Sequence, residues 1–337
     1  IVSQCHFQLY NLVYLLFQNF VLNDSTFSKT EGNISMSNKP SFFIVGAPKS
    51  GTTALCKYLN RHPQIFIPQK KELRYFCYNP PRISLNEYLK FFVEGDGKIC
   101  GEGTPSYLRT EFTAQAIYDF NPEAKIIIML REPVELLYSF HAQLLWNGNS
   151  EDEQDFVKAM ALEQERRKHR QIPKKCNNPE VLYYRNVVKF TEQITRYREY
   201  FGKEQVKIIL FDDFIKNVAQ IYQETLEFLQ VDSNFVTEFN AINSRKKTRS
   251  NFLQNLYKRP PKKLLEFGKF LIPLPQHKRR ELLESFKQKL QEFNKVQITK
   301  KDKSLSLDIH KAMQQEFIPE IQKLSQLIDR DLSHWLR

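Results

Sequence analysis

The sequence predicts a three-layer α/β/α domain with a mainly parallel central sheet. Three apolar runs carry this: residues 42–45 (FFIV), 124–130 (AKIIIML) and 206–211 (VKIILF). Continuous runs of that length fit strands covered on both faces. Between them lie segments with helical spacing, such as Leu85, Tyr88, Leu89 and Phe92, or Val187, Phe190, Ile194 and Tyr197. Strand and helix alternating along one chain is the signature of the α/β class.

Residues 41–55 read SFFIVGAPKSGTTAL. A strand leads into a turn broken by Gly46, Pro48 and Gly51, and a helix opens at Thr52. Backbone N–H groups and the helix dipole at such a junction hold a phosphate. The nucleotide P-loop places lysine directly after its second glycine. Here that slot holds Thr52, and the lysine is three residues earlier, at Lys49. A lysine at the tip suits a donor whose bridging oxygen needs a cation without a metal.

The helix from residue 52 ends before Pro63, and residues 65–67 form a short strand. Lys70, Lys71 and Glu72 follow, with Tyr75, Phe76 and Tyr78 behind them. A carboxylate at a strand end flanked by cations is a candidate general base. Read without analogy, Glu72 fits a surface ion pair better than a base. Residues 84–93 read as a helix. Arg131 ends the strand 124–130, and Pro133 starts a helix where its missing N–H costs nothing. Arginine beside a helix N-terminus is a phosphate site by physics.

His141 lies on that helix and reads as a structural histidine rather than a catalytic one. Residues 151–170 read as a charged helix with sparse apolar residues at Phe156, Met160 and Leu162. Residues 171–180 read as irregular, and the region 141–180 is expected to shape the acceptor pocket. Tyr183 and Tyr184 read as core. Helices follow at 186–200 and 218–229, with the strand 206–211 between them. Residues 243–251 (NSRKKTRSN) form a basic run. It lacks aromatic interleaving, which argues against single-stranded nucleic acid. Two further helices are expected near 278–292 and 307–328.

Four segments resemble one family, the sulfotransferases that use 3′-phosphoadenosine 5′-phosphosulfate (PAPS). PKSGTTAL is similar to their 5′-phosphosulfate loop. KELRYF is similar to the KE-x-x-[FY]-F segment of the glycan-type members. ICGEGTPSY, residues 99–107, resembles their E-x-TPSY segment. REPVELLYS, residues 131–139, fits their R-x-P-x(5)-S pattern. The chain is thus identified as a bacterial or glycan-type member with a P-loop-like fold. The resemblance implies that Lys49, Ser50, Gly51, Thr52 and Thr53 bind the donor's 5′-phosphosulfate and that Arg131 and Ser139 bind its 3′-phosphate. It implies Glu72 and Lys49 as catalytic residues, with Glu72 taking the acceptor proton and Lys49 stabilising the departing phosphate. A basic loop over the donor's 3′-phosphate would draw on Arg245, Lys247 and Arg249. PAPS is the implied donor, adenosine 3′,5′-bisphosphate (PAP) the product, and no metal is required. One departure stands out: glycan-modifying members often carry lysine before TP, where this chain has Gly103.

The 337 residues allow one large domain with ample core. A net charge of +12 favours anionic partners, with no preference among nucleotides, acidic sugars or headgroups. Five cysteines without a CxxC pair point to reduced thiols and a cytoplasmic protein, with a membrane-anchored, Golgi-type luminal enzyme as the alternative. Residues 1–35 are too polar for a clear membrane span and read as a poorly ordered or non-native extension. Residues 36–337 then form a single domain. The expected partner is a hydroxyl-bearing acceptor, whether glycan, lipid or small molecule. A membrane is not expected, and oligomeric state is unreadable. The rival readings are a P-loop kinase or NTPase, and a non-catalytic nucleotide-binding relative.

Overall fold

A computed structural model of the protein describes residues 39–148, 150–239, 246–248, 295–297 and 305–336. The expectations for residues 1–35 and for the helix at 278–292 lie outside them, as do Arg245 and Arg249.

The central sheet has five strands, all parallel: β1 (Phe42–Gly46), β2 (Ile65–Phe66), β3 (Ile99–Gly103), β4 (Lys125–Leu130) and β5 (Val206–Leu210). Their spatial order is β2-β3-β1-β4-β5. The chain leaves β1 towards one edge, returns, and crosses to β4 on the other side. The order reverses between β1 and β4, so the loops leaving those two strands diverge there and leave a crevice. The motif-bearing loops begin at these carboxyl ends.

Helix α1 (Thr52–Leu59) follows β1, and α2 (Leu85–Leu89) follows β2. α2 is shorter than its periodicity predicts, because residues Lys90–Gly95 tighten into a 3-10 helix. Ser84 and Glu87 close its N-terminus as a capping box. Helix α3 (Thr113–Phe120) connects β3 to β4, and α4 (Pro133–Asn147) follows β4. The span 151–170 is not one helix but two short ones, α5 (Phe156–Ala161) and α6 (Glu163–Arg167). Then come α7 (Tyr184–Val187), α8 (Phe190–Phe201), α9 (Phe211–Lys216) and α10 (Val218–Leu229). Short strands β6 (Lys246–Thr248) and β7 (Lys295–Gln297) pair antiparallel. The long α11 (Leu307–Ile328) is last.

One face of the sheet presents Phe42, Ile44, Ile127, Met129 and Ile209 to α1, α9 and α10. The opposite face carries Phe43, Ile126 and Ile128, all fully buried, under α8, with α3 and α11 packed on that helix. Each buried aliphatic side chain contributes on the order of 1.5–3 kcal/mol, so the apolar runs that reveal the strands also hold the layers together.

Buried ion pairs run through this segment. Glu151 turns inward and accepts both guanidinium nitrogens of Arg166 at 2.7 Å and the Tyr184 hydroxyl at 2.7 Å. Its side chain is 0 % exposed and that of Arg166 is 1 %. Glu163 is likewise fully buried and takes Arg167 and Arg185. A charged pattern that reads as solvated surface is here an internal ionic core.

Candidate active site

The turn after β1 is shaped by left-handed backbone. Lys49 has φ 65° and Gly51 has φ 89°. Gly51 is the N-cap of α1, and a Cβ there would lie 3.2 Å from the Phe211 ring and 3.3 Å from Met129 Cε. Only glycine combines that φ with that spacing. Inside the turn, Ser50 is fully buried, and its Oγ has no hydrogen-bond partner. A buried hydroxyl left unmatched beside the free N–H groups of a helix N-terminus fits a bound phosphate oxygen. Thr52 is buried behind it. Thr53 Oγ1 accepts a hydrogen bond from Lys71 Nζ at 2.7 Å.

Arg131 leaves β4 towards the same turn. Its Nη1 donates to the Lys49 carbonyl at 3.3 Å, and its Nη2 pairs with Glu135. The guanidinium lies 4.7 Å from the centre of the Phe211 ring. Two segments more than 80 residues apart in sequence therefore meet, as the strand order requires. Phe211 touches both of them, and sequence reasoning missed it; the signal was its place directly after the apolar run of β5. Ser139 is buried on the second turn of α4.

The N-terminus of α4 differs from expectation. The Glu132 carboxylate caps it, accepting from the N–H groups of Val134 at 3.0 Å and Glu135 at 2.7 Å. His310 of α11 reaches the same carboxylate at 3.2 Å. Burial pushes the Glu132 carboxyl up, against the pull of these partners. An anion beside Arg131 would thus rely on the guanidinium and Ser139, not on this helix end.

Glu72 stands in an unusual turn. Both Glu72 and Arg74 have φ 57°, a conformation that costs a non-glycine residue on the order of 1–3 kcal/mol. Arg74 pairs with the Glu72 carboxylate at 2.9 Å. What holds the turn lies beneath it. Glu102, buried at the end of β3, accepts hydrogen bonds from Thr104 at 2.6 Å, Tyr107 at 2.9 Å and Tyr88 at 2.5 Å. It also takes the Arg74 backbone N–H. Burial raises the Glu102 carboxyl, and these bonds pull it down less than burial pushes it up. This network was not foreseen; Tyr88 reads only as a residue at helical spacing and Tyr107 as part of the TPSY segment.

Gly103 has a packing reason. A Cβ there would lie 2.4 Å from Cys56 Sγ in α1 and 3.9 Å from Lys71 Cε. The chain therefore has no room for a side chain at that slot, and Lys71 brings a cation beside it from the neighbouring loop. Gly103→Lys is expected to cost about 1–3 kcal/mol by overpacking. Thermal denaturation should show that loss, and Cys56→Ala in the same chain should recover much of it.

His141 is buried, and its Nε2 lies 2.8 Å from the Glu153 carbonyl. Burial lowers its pKa. It occupies the structural role the sequence assigned. Of the basic loop, only the backbone of residues 246–248 is described, so the roles expected of Arg245, Lys247 and Arg249 remain expectations.

Comparison with known proteins bears on the family and the fold. The sulfotransferase domain family matches residues 39–302. The membrane-associated sulfotransferase kil1 of Dictyostelium discoideum is 39% identical over 113 residues, 32% of this chain and 24% of that protein. The heparan sulfate glucosamine 3-O-sulfotransferase 5 of Mus musculus is 27% identical over 222 residues, 64% of this chain and 61% of that protein. The chain thus spans less than two thirds of the length of these relatives. A solved sulfotransferase from Alicyclobacillus acidocaldarius superposes with a TM-score of 0.63 at 28% identity, covering 88% of this chain and 99% of that one. Among the described residues, no helix is long and apolar enough to cross a membrane. The expected α/β sheet and the expected family both stand: the chain belongs to the sulfotransferase domain family.

Proposed function

We propose that the protein transfers a sulfuryl group from PAPS to the hydroxyl of an acceptor. The observation that carries this reading is the buried, unmatched Ser50 Oγ at the head of α1, with Lys49 and Arg131 beside it. When bound, the donor supplies the sulfuryl group, and its bond to the phosphate oxygen breaks as the acceptor oxygen bonds to sulfur. Ser50, Gly51, Thr52 and Thr53 hold the 5′ end. Arg131 and Ser139 hold the 3′-phosphate, with Arg131 exchanging the half-exposed Glu135 for a doubly charged partner. Glu72 takes the acceptor proton. Lys49 meets the charge left on the phosphate oxygen. Fixed charges of this kind supply the larger part of such a barrier reduction.

The acceptor class follows less directly. Relatives named for heparan sulfate and carbohydrate support a glycan hydroxyl. For location, Cys56, Cys77, Cys100 and Cys176 are all free thiols, which supports a reducing, cytoplasmic compartment.

Calorimetry with PAP tests the donor site. PAP is expected to bind without metal and to outcompete Mg·ATP. Arg131→Ala should weaken it roughly 10- to 150-fold, the loss of hydrogen bonds to a charged group. Preference for Mg·ATP, or PAP binding indifferent to Arg131, would overturn the reading.

A further inference from the structure

Arg109 follows the TPSYL segment, and the mechanism above does not use it. Its position is fixed on two sides. Thr104 N donates to the Ile44 carbonyl at 3.1 Å, and Leu108 N donates to the Val45 carbonyl at 2.8 Å. Tyr197 of α8 donates from its hydroxyl to the Tyr107 carbonyl at 3.1 Å. Leu108 packs so closely on Gly46 that a Cβ there would meet Leu108 Cβ at 2.5 Å. Arg109 therefore sits at the carboxyl end of β1, next to where the donor turn departs.

The guanidinium has no partner suited to its charge. Nη1 is buried and makes no hydrogen bond, and among the described residues no carboxylate pairs with Arg109. The guanidinium carbon lies 5.7 Å from the centre of the Phe140 ring. Other arginines with a buried unmatched nitrogen are engaged elsewhere: Arg196 with Glu192, and Arg198 with the Leu327 carbonyl. The ionisable groups that act on Arg109 most strongly are Cys77, Glu180, Arg74 and Glu72. It thus lies among the turn that carries the candidate base and the 171–183 segment. Burial lowers its pKa, yet a guanidinium stays charged at neutral pH. A guanidinium with one nitrogen buried and unmatched is costly unless an acceptor arrives.

We propose that Arg109 receives an oxyanion substituent of the acceptor, so that the substrate is a hydroxyl compound already carrying a carboxylate or sulfate close to the reacting hydroxyl. A planar guanidinium flanked by an aromatic ring suits either group. Arg74, more than half exposed at the same turn, extends the positive surface outward. The inference rests on the sulfotransferase reading, because it takes the Glu72 side of the site as the acceptor side.

The test uses the full chain saturated with PAP. Calorimetry compares three probes matched except in charge: 4-nitrophenyl β-glucoside, its 6-sulfate, and 4-nitrophenyl β-glucuronide. The protein is expected to bind at least one anionic probe 10-fold or more tighter than the neutral glucoside, and which one binds distinguishes sulfate from carboxylate. Arg109→Gln should bring that preference below twofold while leaving PAP affinity unchanged, and Arg109→Lys should retain part of it. Arg109→Met, which keeps the apolar stem, should melt no lower than the parent. Equal binding of all three probes, no binding of the anionic ones, or a preference that survives Arg109→Gln overturns the proposal. A melting temperature that falls sharply in Arg109→Met makes the residue structural and overturns it too. Failure to bind PAP at all would sink the donor-site reading first; PAP binding without charge discrimination sinks this inference alone.

Discussion

Glu72→Gln is expected to reduce sulfuryl transfer by roughly 10²- to 10⁴-fold, the usual contribution of a positioned general base. The amide keeps the shape of the side chain and removes only its capacity to accept a proton. PAP affinity should stay within about twofold, since the donor turn is built from other residues. Stability should change little, because the Arg74–Glu72 pair is half exposed and such pairs contribute on the order of 0–1 kcal/mol. Turnover within threefold of the parent, with PAP binding intact, would show that another group takes the proton.

Arg166→Met is expected to destabilise the fold by about 3–5 kcal/mol, the cost of leaving one member of a buried ion pair alone. Glu151 would keep the Tyr184 hydroxyl and the N–H groups of Asp152 and Glu153, but no cation. For a domain of this size the melting temperature should fall by roughly 6–15 °C. The pH dependence has a definite sign. Burial disfavours the Glu151 carboxylate, but the hydrogen bonds from Arg166 and Tyr184 outweigh it and hold the carboxyl below its ordinary 4.5. A depressed folded-state value gives stability that is full above about 4.5 and is lost as pH falls through the folded value. The parent should therefore lose stability on acidification below that point. Arg166→Met should lose less over the same range, having already lost the partner that depresses Glu151. Equal acid sensitivity of the two proteins would remove Glu151 as the cause.

The legible parts of this molecule are those governed by short-range rules. Residues 42–45, 124–130 and 206–211 declare their strands because a doubly covered strand needs a near-continuous apolar run. Gly51 declares the donor turn because only glycine takes φ 89° against the Phe211 ring. The unforeseen parts depend on partners distant in sequence. Glu102 reads as one letter of a motif, yet it anchors the turn of Glu72 through Tyr88, Tyr107 and the Arg74 N–H. Glu151 and Arg166 read as parts of one charged helix, yet they pair with each other inside the fold. Arg131 reads as an arginine beside a phosphate-binding helix end, yet the Glu132 carboxylate occupies that end. Charge in a sequence has no fixed address until the fold supplies a counter-charge.

Helix α11 and the residues after it brace the elements around the proposed donor site. His310 reaches the Glu132 cap, Arg185 clasps Glu316, Arg330 meets Asp213, and Trp335 Nε1 donates to Asp212 at 2.6 Å, one residue from Phe211. The consequence concerns synthesis. A ribosome delivers the turn after β1 early and the clasp late, at a pace of about 5–20 residues per second. A nascent chain stalled before residue 307 would leave the surface that receives Phe317, Ile321 and Leu324 uncovered. Such a chain would carry every residue of the proposed catalytic set and still present a greasy face to chaperones.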